Sequence, residues 1–338
     1  MRIRALVLFL LAGFALSPAC RVADGPKGGA GKPFRIAFIP KGTTHEFWRT
    51  MHAGAVKGQR DLLAKGVHVE LIWKGPLRED DREQQVQVVE SFASQGVDGI
   101  VLAPLDEKAL VRPVEEAKRL GVPTVIVDSA LASEEIASFV ATDNVKGGAM
   151  GADELGRVMG GKGRALLLRY QEGSASTTDR EEGFLARLKE AWPGIGLLVA
   201  DQYAGPTVDT AKRASENLLN RHGRDIQGVF VVNETSTGGM LLALQDAGLA
   251  GRVKVVGFDG TPTFVEAMRA GQLHGFVLQH PFRMAALSLE TLVDHLLGKT
   301  VPKRVDTGAI VVTPANLDTP ETQELLRPPL DVYLKPGE

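Results

Sequence analysis

Short apolar runs and longer amphipathic segments alternate almost without a break from Phe34 onward. The apolar runs at residues 35–39 and 99–103 are each closed by a proline, and they are typical of short strands. The segments between the runs have apolar positions three or four residues apart, which indicates helices. Strands joined by helices of this kind form βαβ units with parallel strands and right-handed crossovers. The alternation therefore predicts an α/β fold.

The series of strands and helices starts again near Thr142. Asp143 or Asn144 is predicted to cap the helix that follows. The strands are continuous apolar runs, which indicates that both faces of each sheet are covered. We therefore predict two doubly wound lobes, each with a parallel sheet. The last clear strand is predicted over residues 305–312, and beyond Thr313 the chain is predicted to pack as an irregular tail.

Length and charge narrow the classes of protein. The chain has 338 residues, which at roughly 150 residues per domain suggests two domains. Apolar residues make up 44% of the sequence, enough for ordinary hydrophobic cores. The formal net charge is −2 and there is no basic block, so the sequence lacks the electrostatic footprint of a nucleic-acid-binding protein.

Residues 1–20 are typical of an export signal rather than of a folded domain. Two arginines precede an apolar run at residues 5–16, which is shorter than the ~20 residues that a membrane-spanning helix needs. Cys20 follows and is the only cysteine, so no internal disulfide is possible. Its position resembles the lipobox of bacterial lipoproteins, which implies a lipid anchor at Cys20; the alternative is ordinary cleavage nearby. Residues 21–33 are Gly-rich and are predicted to be a flexible tether.

Known catalytic and metal-binding patterns do not occur in the sequence. His45 and Glu46 are not followed by a second histidine in the H-E-x-x-H spacing, and residues 173–175 do not fit a G-x-S-x-G nucleophile elbow. The seven histidines are scattered and provide no metal-ligand spacing. We therefore expect a protein that is not an enzyme and that needs no cofactor or metal.

The turn after the first strand is a candidate wall of a binding site. Thr43 and Glu46 have the S/T-x-x-E spacing of a capping box, so they are predicted to satisfy the first free N–H groups of a helix. Phe47 and Trp48 then begin that helix, at the end of a strand, where an α/β protein binds its ligand. Phe47 fits the apolar stripe of the helix. Trp48 lies off that stripe and is favoured as the ring that faces a ligand.

Seven segments, in order, resemble the type I periplasmic binding proteins, close to the ribose-binding branch. They are IAFIPKGTTHEFW at residues 36–48, VPTVIVD ending at Asp128, FVATDN ending at Asn144, DREEGF beginning at Asp179, GVFVVNE around Asn233, VVGFDGTP around Asp259 and VLQHP around Gln279. The resemblance implies two similar α/β lobes joined by a three-crossing hinge, with crossings near residues 142–143, 279–280 and 306–307. It assigns residues 34–142 and 280–306 to an N-terminal lobe, and residues 143–279 and 307–338 to a C-terminal lobe.

The resemblance also implies which side chains bind the ligand. Phe47 and Trp48 match paired aromatic residues that lie against the apolar face of a sugar. The other implied contacts supply hydrogen bonds and are Asp128, Thr178, Arg180, Asn233, Asp259 and Gln279. Asn233 is also a candidate N-cap of the next helix, whereas Asp143 and Asn144 are interpreted as caps only.

Lys41, His45 and Thr178 depart from the ribose-binding pattern, so ribose itself is not implied as the ligand. Thr178 stands where that pattern has an arginine. Lys41 and His45 replace a small hydroxyl residue and an asparagine. They either admit a ligand with an acidic group or are solvated turn residues.

The function implied by the resemblance is extracytoplasmic capture of a sugar or a sugar-like polyol. The two lobes would close on the ligand about their hinge, and the protein would deliver it to the permease of an ABC transporter. The alternative is a periplasmic sensor that passes ligand occupancy to a membrane receptor kinase or chemoreceptor. Either protein would be exported to the periplasm or cell surface and would meet the membrane only through a lipid anchor. We expect a monomer that binds no nucleic acid.

Overall fold

The computed structural model describes residues 32–335. The predicted signal at residues 1–20, its lipidation site Cys20 and nearly all of the predicted tether at residues 21–33 lie outside the described residues. Within the described range, no helix is long and apolar enough to span a membrane. The chain folds into two lobes, each built on a six-stranded sheet with helices on both faces. The prediction of an α/β fold with two doubly wound lobes is confirmed.

The first lobe has an all-parallel sheet. Its strands are β1 (Phe34–Ile39), β2 (Val69–Trp73), β3 (Gly99–Leu102), β4 (Thr124–Val127), β5 (Ser138–Ala141) and β11 (Arg304–Asp306), in the spatial order β11-β5-β4-β3-β1-β2. Helices α1 (Glu46–Ala64) and α9 (Pro281–Leu296) cover one face, and α2 (Arg82–Ser94) and α3 (Val111–Arg119) cover the other. Because both faces are covered, the strands are continuous apolar runs.

The second lobe also has a six-stranded sheet between two layers of helices, but one edge strand of this sheet is antiparallel to its neighbour. Its strands are β6 (Gly163–Arg169), β7 (Ile195–Tyr203), β8 (Gly228–Val231), β9 (Lys254–Phe258), β10 (Gly275–Gln279) and β12 (Ala309–Val312), in the spatial order β12-β10-β9-β8-β6-β7. Helices α4 (Asn144–Val158) and α5 (Ala175–Ala191) cover one face. Helices α6 (Val208–His222), α7 (Glu234–Asp246) and α8 (Pro262–Arg269) cover the other.

Residues 305–312 do not form the single strand that their sequence predicts. Gly308 adopts a φ of 76°, in the left-handed region that glycine enters without strain. The turn at Gly308 divides the predicted strand into β11 of the first sheet and β12 of the second, where β12 pairs antiparallel with β10. The chain also passes between the sheets after β5 and after β10.

The tail beyond Thr313 is helical and returns to the first lobe. It forms α10 (Pro320–Leu326) and α11 (Leu330–Tyr333) rather than the predicted irregular segment. α11 packs against α1, and the guanidinium carbon of Arg60 in α1 lies 4.9 Å from the ring centroid of Tyr333. The ring centroid of Phe282 in α9 lies 5.4 Å from that of Tyr333. The resemblance assigns all of residues 307–338 to the C-terminal lobe, whereas α11 contacts α1 of the first lobe. The boundaries of the lobes stay a prediction.

Close packing of α1 on α9 positions the first turn of α1. A β carbon at Gly54 would lie 2.1 Å from the carbonyl oxygen of Phe282, so only glycine permits this approach. Phe47, in the first turn of α1, consequently lies near Pro281, where α9 leaves the hinge.

Candidate ligand-binding cleft

A cleft lies between the lobes at the carboxyl ends of the parallel strands. The space between its lining residues measures about 350 Å³, including the part open to solvent. Nine of the ten residues predicted to contact a ligand line it: Lys41, His45, Phe47, Trp48, Asp128, Arg180, Asn233, Asp259 and Gln279. Five further lining residues are Glu79, Tyr170, Ser176, Thr177 and Glu234. That these residues bind a ligand stays a prediction.

Thr178 is the predicted contact that the fold does not bring into the lining. It lies in the first turn of α5, where successive side chains point about 100° apart. Thr177 lines the cleft instead. Thr178 therefore lies off the helix face that meets the cleft, whereas Arg180 in the same segment lies on it.

Asp128 and Asp259 occupy equivalent positions in the two lobes. Asp128 follows β4 and Asp259 follows β9, and both adopt a positive φ, of 65° and 66°. Both residues are buried, with 4% and 7% of their surface exposed. A non-glycine residue in this region costs on the order of 1–3 kcal/mol, and such strain is concentrated at functional sites. The strained backbone at both aspartates therefore makes the cleft a candidate functional site.

Asp259 belongs to a buried hydrogen-bond network with Gln279. Asp259 Oδ1 accepts from Gln279 Nε2 at 2.8 Å, and Oδ2 accepts from the backbone N–H of Glu234 at 3.1 Å. Burial raises the pKa of Asp259, although the charge of Arg180 opposes the shift. Gln279 Oε1 is buried and has no partner among the described residues. An unpaired buried acceptor costs about 1–3 kcal/mol, so this oxygen favours a donor group from a ligand.

Lys41 is neither a solvated turn residue nor a free cation. Its Nζ lies 3.2 Å from Asp128 Oδ2, and only 3% of the residue is exposed. The same nitrogen donates to Ser174 Oγ at 3.2 Å and to Ser176 Oγ at 3.0 Å, both in the second lobe. Lys41 therefore neutralises Asp128 and connects the two lobes.

The carboxylate of Glu79, which also lines the cleft, contacts three side-chain donors. Its Oε1 lies 2.5 Å from His45 Nδ1 and 2.6 Å from Trp48 Nε1, and its Oε2 accepts from the Tyr170 hydroxyl at 2.8 Å. Burial favours a raised pKa for Glu79, but the charge and hydrogen bond of His45 outweigh it and hold the pKa at about 2. Burial opposes charge on His45 as well, yet Glu79 raises the pKa of His45 to about 9. Both residues are therefore charged at neutral pH.

Phe47 and Trp48 both line the cleft, but their packing is the reverse of the prediction. Trp48 is only 3% exposed and packs in the core with Met51 and Ala55, and its indole N–H is bound to Glu79. Phe47 is half-buried, with its ring perpendicular to that of Trp48. Trp48 is thus held by the core, and Phe47 is the more exposed of the two rings.

Arg180 is the buried cation of the second lobe. Its Nε donates to Asn144 Oδ1 at 2.9 Å, its Nη1 donates to the Val232 carbonyl at 2.8 Å, and its guanidinium carbon lies 3.8 Å from the centroid of the Phe258 ring. Burial lowers the pKa of Arg180, and the charge of Asp259 opposes this. The remaining N–H groups of Arg180 have no acceptor among the described residues.

The residues interpreted as helix caps have different roles. Asp143 caps α4 by accepting from the Lys146 N–H at 3.1 Å. Asn144 is not a cap, because its side chain orients Arg180. Asn233 caps α7 by accepting from the Ser236 N–H at 3.2 Å, as predicted for a candidate N-cap. The same residue also lines the cleft.

The capping box predicted for Thr43 and Glu46 is absent. Helix α1 begins at Glu46, and its N-cap residue is His45, whose side chain makes no capping hydrogen bond. The N–H groups of Glu46 and Phe47 instead donate to the carboxylate of Glu234, at 3.2 and 3.0 Å. Burial raises the pKa of Glu234 to about 7, although the charge of His45 opposes the shift.

Sequence reasoning missed Glu79, Tyr170 and Glu234. Glu79 lies in the charged segment 78–83, which is typical of a solvated loop, so no pattern distinguished it. Tyr170 directly follows β6, and a polar aromatic residue at the carboxyl end of a strand is a signal that could have found it. In residues 32–335 no group of three or more His, Cys, Asp or Glu side chains could hold a metal ion.

Two α/β lobes with a buried polar cleft between the carboxyl ends of their strands define a two-lobed ligand-binding protein. Residues 36–300 match the family model of the periplasmic binding protein domain. The chain belongs to this family, as its motifs predicted, and its relatives place it in the ribose-binding-like branch.

Relatives match most of the chain. The ribose import binding protein RbsB of Bacillus subtilis is 30% identical over 89% of this chain and 93% of its own length. The D-allose-binding periplasmic protein of Escherichia coli is 32% identical over 79% of this chain and 86% of its own length. A carbohydrate transporter solute-binding protein of Agrobacterium radiobacter, solved in complex with D-arabinose, has a TM-score of 0.81 at 32% identity and covers 87% of this chain and 99% of that chain.

Proposed function

We propose that this protein captures a neutral monosaccharide or polyol between its lobes, outside the cytoplasm, and delivers it to the permease of an ABC transporter. The observation that carries the proposal is the set of buried polar groups that meet in the cleft with hydrogen-bonding capacity left over. Gln279 Oε1 has no partner among the described residues, and Arg180 uses two of its five N–H donors. Hydroxyl groups match such a surface because each can both donate and accept.

The pairing of charges favours a neutral ligand. Lys41 is bound to Asp128 and His45 to Glu79, and the charge of Asp259 acts on Arg180, so carboxylates of the cleft balance its buried cations. The relatives support the same ligand class, since their names and complexes specify ribose, D-allose and D-arabinose.

The mode of binding follows from the two walls of the cleft. The half-buried ring of Phe47 offers a face to the apolar C–H groups of a sugar. Asp259 and Asp128 accept hydrogen bonds from hydroxyl groups, which are stronger to a charged acceptor. Arg180 and Gln279 approach from the second lobe, so closure completes the set of contacts and opening releases the ligand.

Delivery to an ABC permease is favoured over signalling to a receptor. The Bacillus subtilis and Agrobacterium relatives are named as parts of import or transport systems, and no observation favours the sensor. Export to the periplasm or cell surface, a lipid anchor at Cys20 and a monomeric state belong to the same proposal.

Isothermal titration calorimetry against D-ribose, D-allose, D-arabinose and xylitol tests the function, with D-glucuronate as an acidic comparison. We expect a saturable heat for at least one neutral ligand and a weaker one for D-glucuronate. Asp259→Ala should weaken binding by about 10- to 100-fold, the equivalent of a hydrogen bond to a charged group. Asp318→Ala is the control, because Asp318 pairs with Arg269 on the surface. Absence of heat from every neutral ligand would contradict the proposal.

A further inference from the structure

Helix α1 begins at the cleft with a cap that comes from the other lobe. The acceptor is the carboxylate of Glu234, the first residue of α7, and the donors are the N–H groups of Glu46 and Phe47. The first N–H groups of a helix have no partner inside the helix, and a carboxylate is favoured there by the helix dipole. Because donors and acceptor belong to different lobes, these hydrogen bonds exist only while the lobes are closed.

We propose that Glu234 is a positioning residue for ligand binding, which holds the ring of Phe47 in the closed cleft by capping α1 from the opposite lobe. Phe47 is the residue through which Glu234 acts, because its N–H is bound to Glu234 and its ring lines the cleft. The role of Glu234 in ligand binding rests on the proposed function. The cross-lobe cap itself is measured without a ligand.

Glu234 and Phe47, together with Asp259 and Gln279, lie between the cleft and a second cavity. That cavity lies beside the hinge, is bordered by Leu325, Leu326 and Leu330 of the tail, and measures about 690 Å³ including the part open to solvent. Glu234 and Phe47 line both spaces. Loss of their contact therefore admits water to the cleft, which weakens the buried hydrogen bonds there and speeds dissociation of the ligand.

The groups that face Glu234 determine how the cap responds to pH. His45 is the cation that acts on it, Asp259 accepts its backbone N–H, Glu46 begins α1, and Arg327 borders the second cavity. Burial raises the pKa of Glu234 from 4.5 to about 7 in the closed form. Between pH 4.5 and about 7, closure of the lobes therefore takes up a proton at Glu234. The contribution of Glu234 to closure is fully present below pH 4.5 and is lost as the pH rises through about 7.

Three variants of the full chain test the proposal. Glu234→Ala removes the cap, and Glu234→Gln keeps an acceptor oxygen but cannot ionise. Asp81→Ala is the matched control, because Asp81 caps α2 from within the first lobe by accepting from the Gln84 N–H at 2.9 Å. Hydrogen exchange at individual amides and the radius of gyration from small-angle X-ray scattering are measured on the ligand-free proteins. Affinity and dissociation rate are measured with the sugar from the panel above that binds the wild type most tightly.

In Glu234→Ala we expect the amide hydrogen of Phe47 to exchange faster than in the wild type. We also expect this variant to have a larger radius of gyration. Its affinity should fall by about 3- to 30-fold, the range for loss of a helix cap, mainly through faster dissociation. Glu234→Gln should lose less affinity and should flatten the pH dependence of binding between pH 5 and 8. Asp81→Ala should speed hydrogen exchange at the Gln84 amide. It should leave hydrogen exchange at the Phe47 amide and the ligand affinity unchanged.

Unchanged exchange at Phe47 and an unchanged radius of gyration in Glu234→Ala would overturn the inference. A loss of affinity in Asp81→Ala equal to that in Glu234→Ala would also overturn it, because the effect would then be one of general stability. If no sugar binds the wild type, the proposed function fails, while exchange and scattering still decide whether Glu234 caps α1 from the other lobe.

Discussion

The hydroxyl of Tyr170, at the end of β6 in the second lobe, donates a 2.8 Å hydrogen bond to Glu79 Oε2 in the first lobe. Both residues are buried, and burial together with Glu79 raises the pKa of Tyr170 well above its ordinary value, so the hydroxyl stays protonated. Glu79 is at the same time the acceptor for His45 and Trp48. One buried carboxylate therefore connects the ligand-facing turn of the first lobe to the second lobe.

Tyr170→Phe should weaken sugar binding by about 5- to 10-fold, because it removes a buried hydrogen bond between the lobes and leaves a lone pair of Glu79 unpaired. Calorimetry with the tightest-binding sugar measures the change. Tyr203→Phe is the control, since Tyr203 stacks on Arg169 away from the cleft. Equal affinity of Tyr170→Phe and the wild type would show that this contact does not contribute to closure.

Lys41→Met should lower the free energy of unfolding by about 3–5 kcal/mol, because it leaves Asp128 buried without its cation. Urea unfolding followed by circular dichroism measures this loss. The double variant Lys41→Met/Asp128→Asn should recover much of the stability, since the uncompensated charge is gone. If the double variant is as unstable as Lys41→Met, the ion pair is not the cause.

Phe47→Ala and Trp48→Ala should separate binding from stability. Trp48 is buried in the core, so its removal should cost about 3–5 kcal/mol of unfolding free energy. Phe47 is half-buried and lines the cleft, so its removal should mainly reduce sugar affinity. Parallel calorimetry and urea unfolding of the two variants check this. The reverse outcome would restore Trp48 as the ring that faces the ligand.

The free energy of unfolding should fall as the pH rises from 6.5 to 9. His45 has its pKa raised from 6.5 to about 9 by Glu79, against the effect of burial. A raised pKa means that the stabilisation is fully present below pH 6.5 and is lost as the pH rises through about 9. Urea titrations across this range should show the decline in the wild type and its absence in His45→Gln. The pKa of Glu79 is lowered from 4.5 to about 2, so its contribution to stability is fully present above pH 4.5 and is lost as the pH falls through about 2.

Periodicity predicted the two lobes because strands covered on both faces must be continuously apolar and their connecting helices must be amphipathic. It failed at Gly308, where one predicted strand is divided between the two sheets. It also failed in the tail, because α11 is held by ring contacts with Phe282 that are distant in sequence. Both failures occur where the chain passes from one lobe to the other, which a local pattern does not carry.

The candidate site was predicted well where its residues end strands. Asp128 and Asp259 directly follow β4 and β9, and motifs located them without knowledge of the lobes. The cap of α1 was predicted from the local spacing of Thr43 and Glu46, but its acceptor, Glu234, is 187 residues from Phe47. Interactions formed across the cleft therefore could not be derived from neighbouring residues.

The return of the tail to the first lobe has a mechanical consequence. Phe34 and Tyr333, near the two ends of the described chain, both belong to the first lobe, and the second lobe is inserted between them. If the protein is held at its N-terminus, the first lobe stays fixed and the second lobe moves about the hinge. Each cycle of loading and release would then move the second lobe, with Arg180 and Gln279 travelling toward a stationary Phe47.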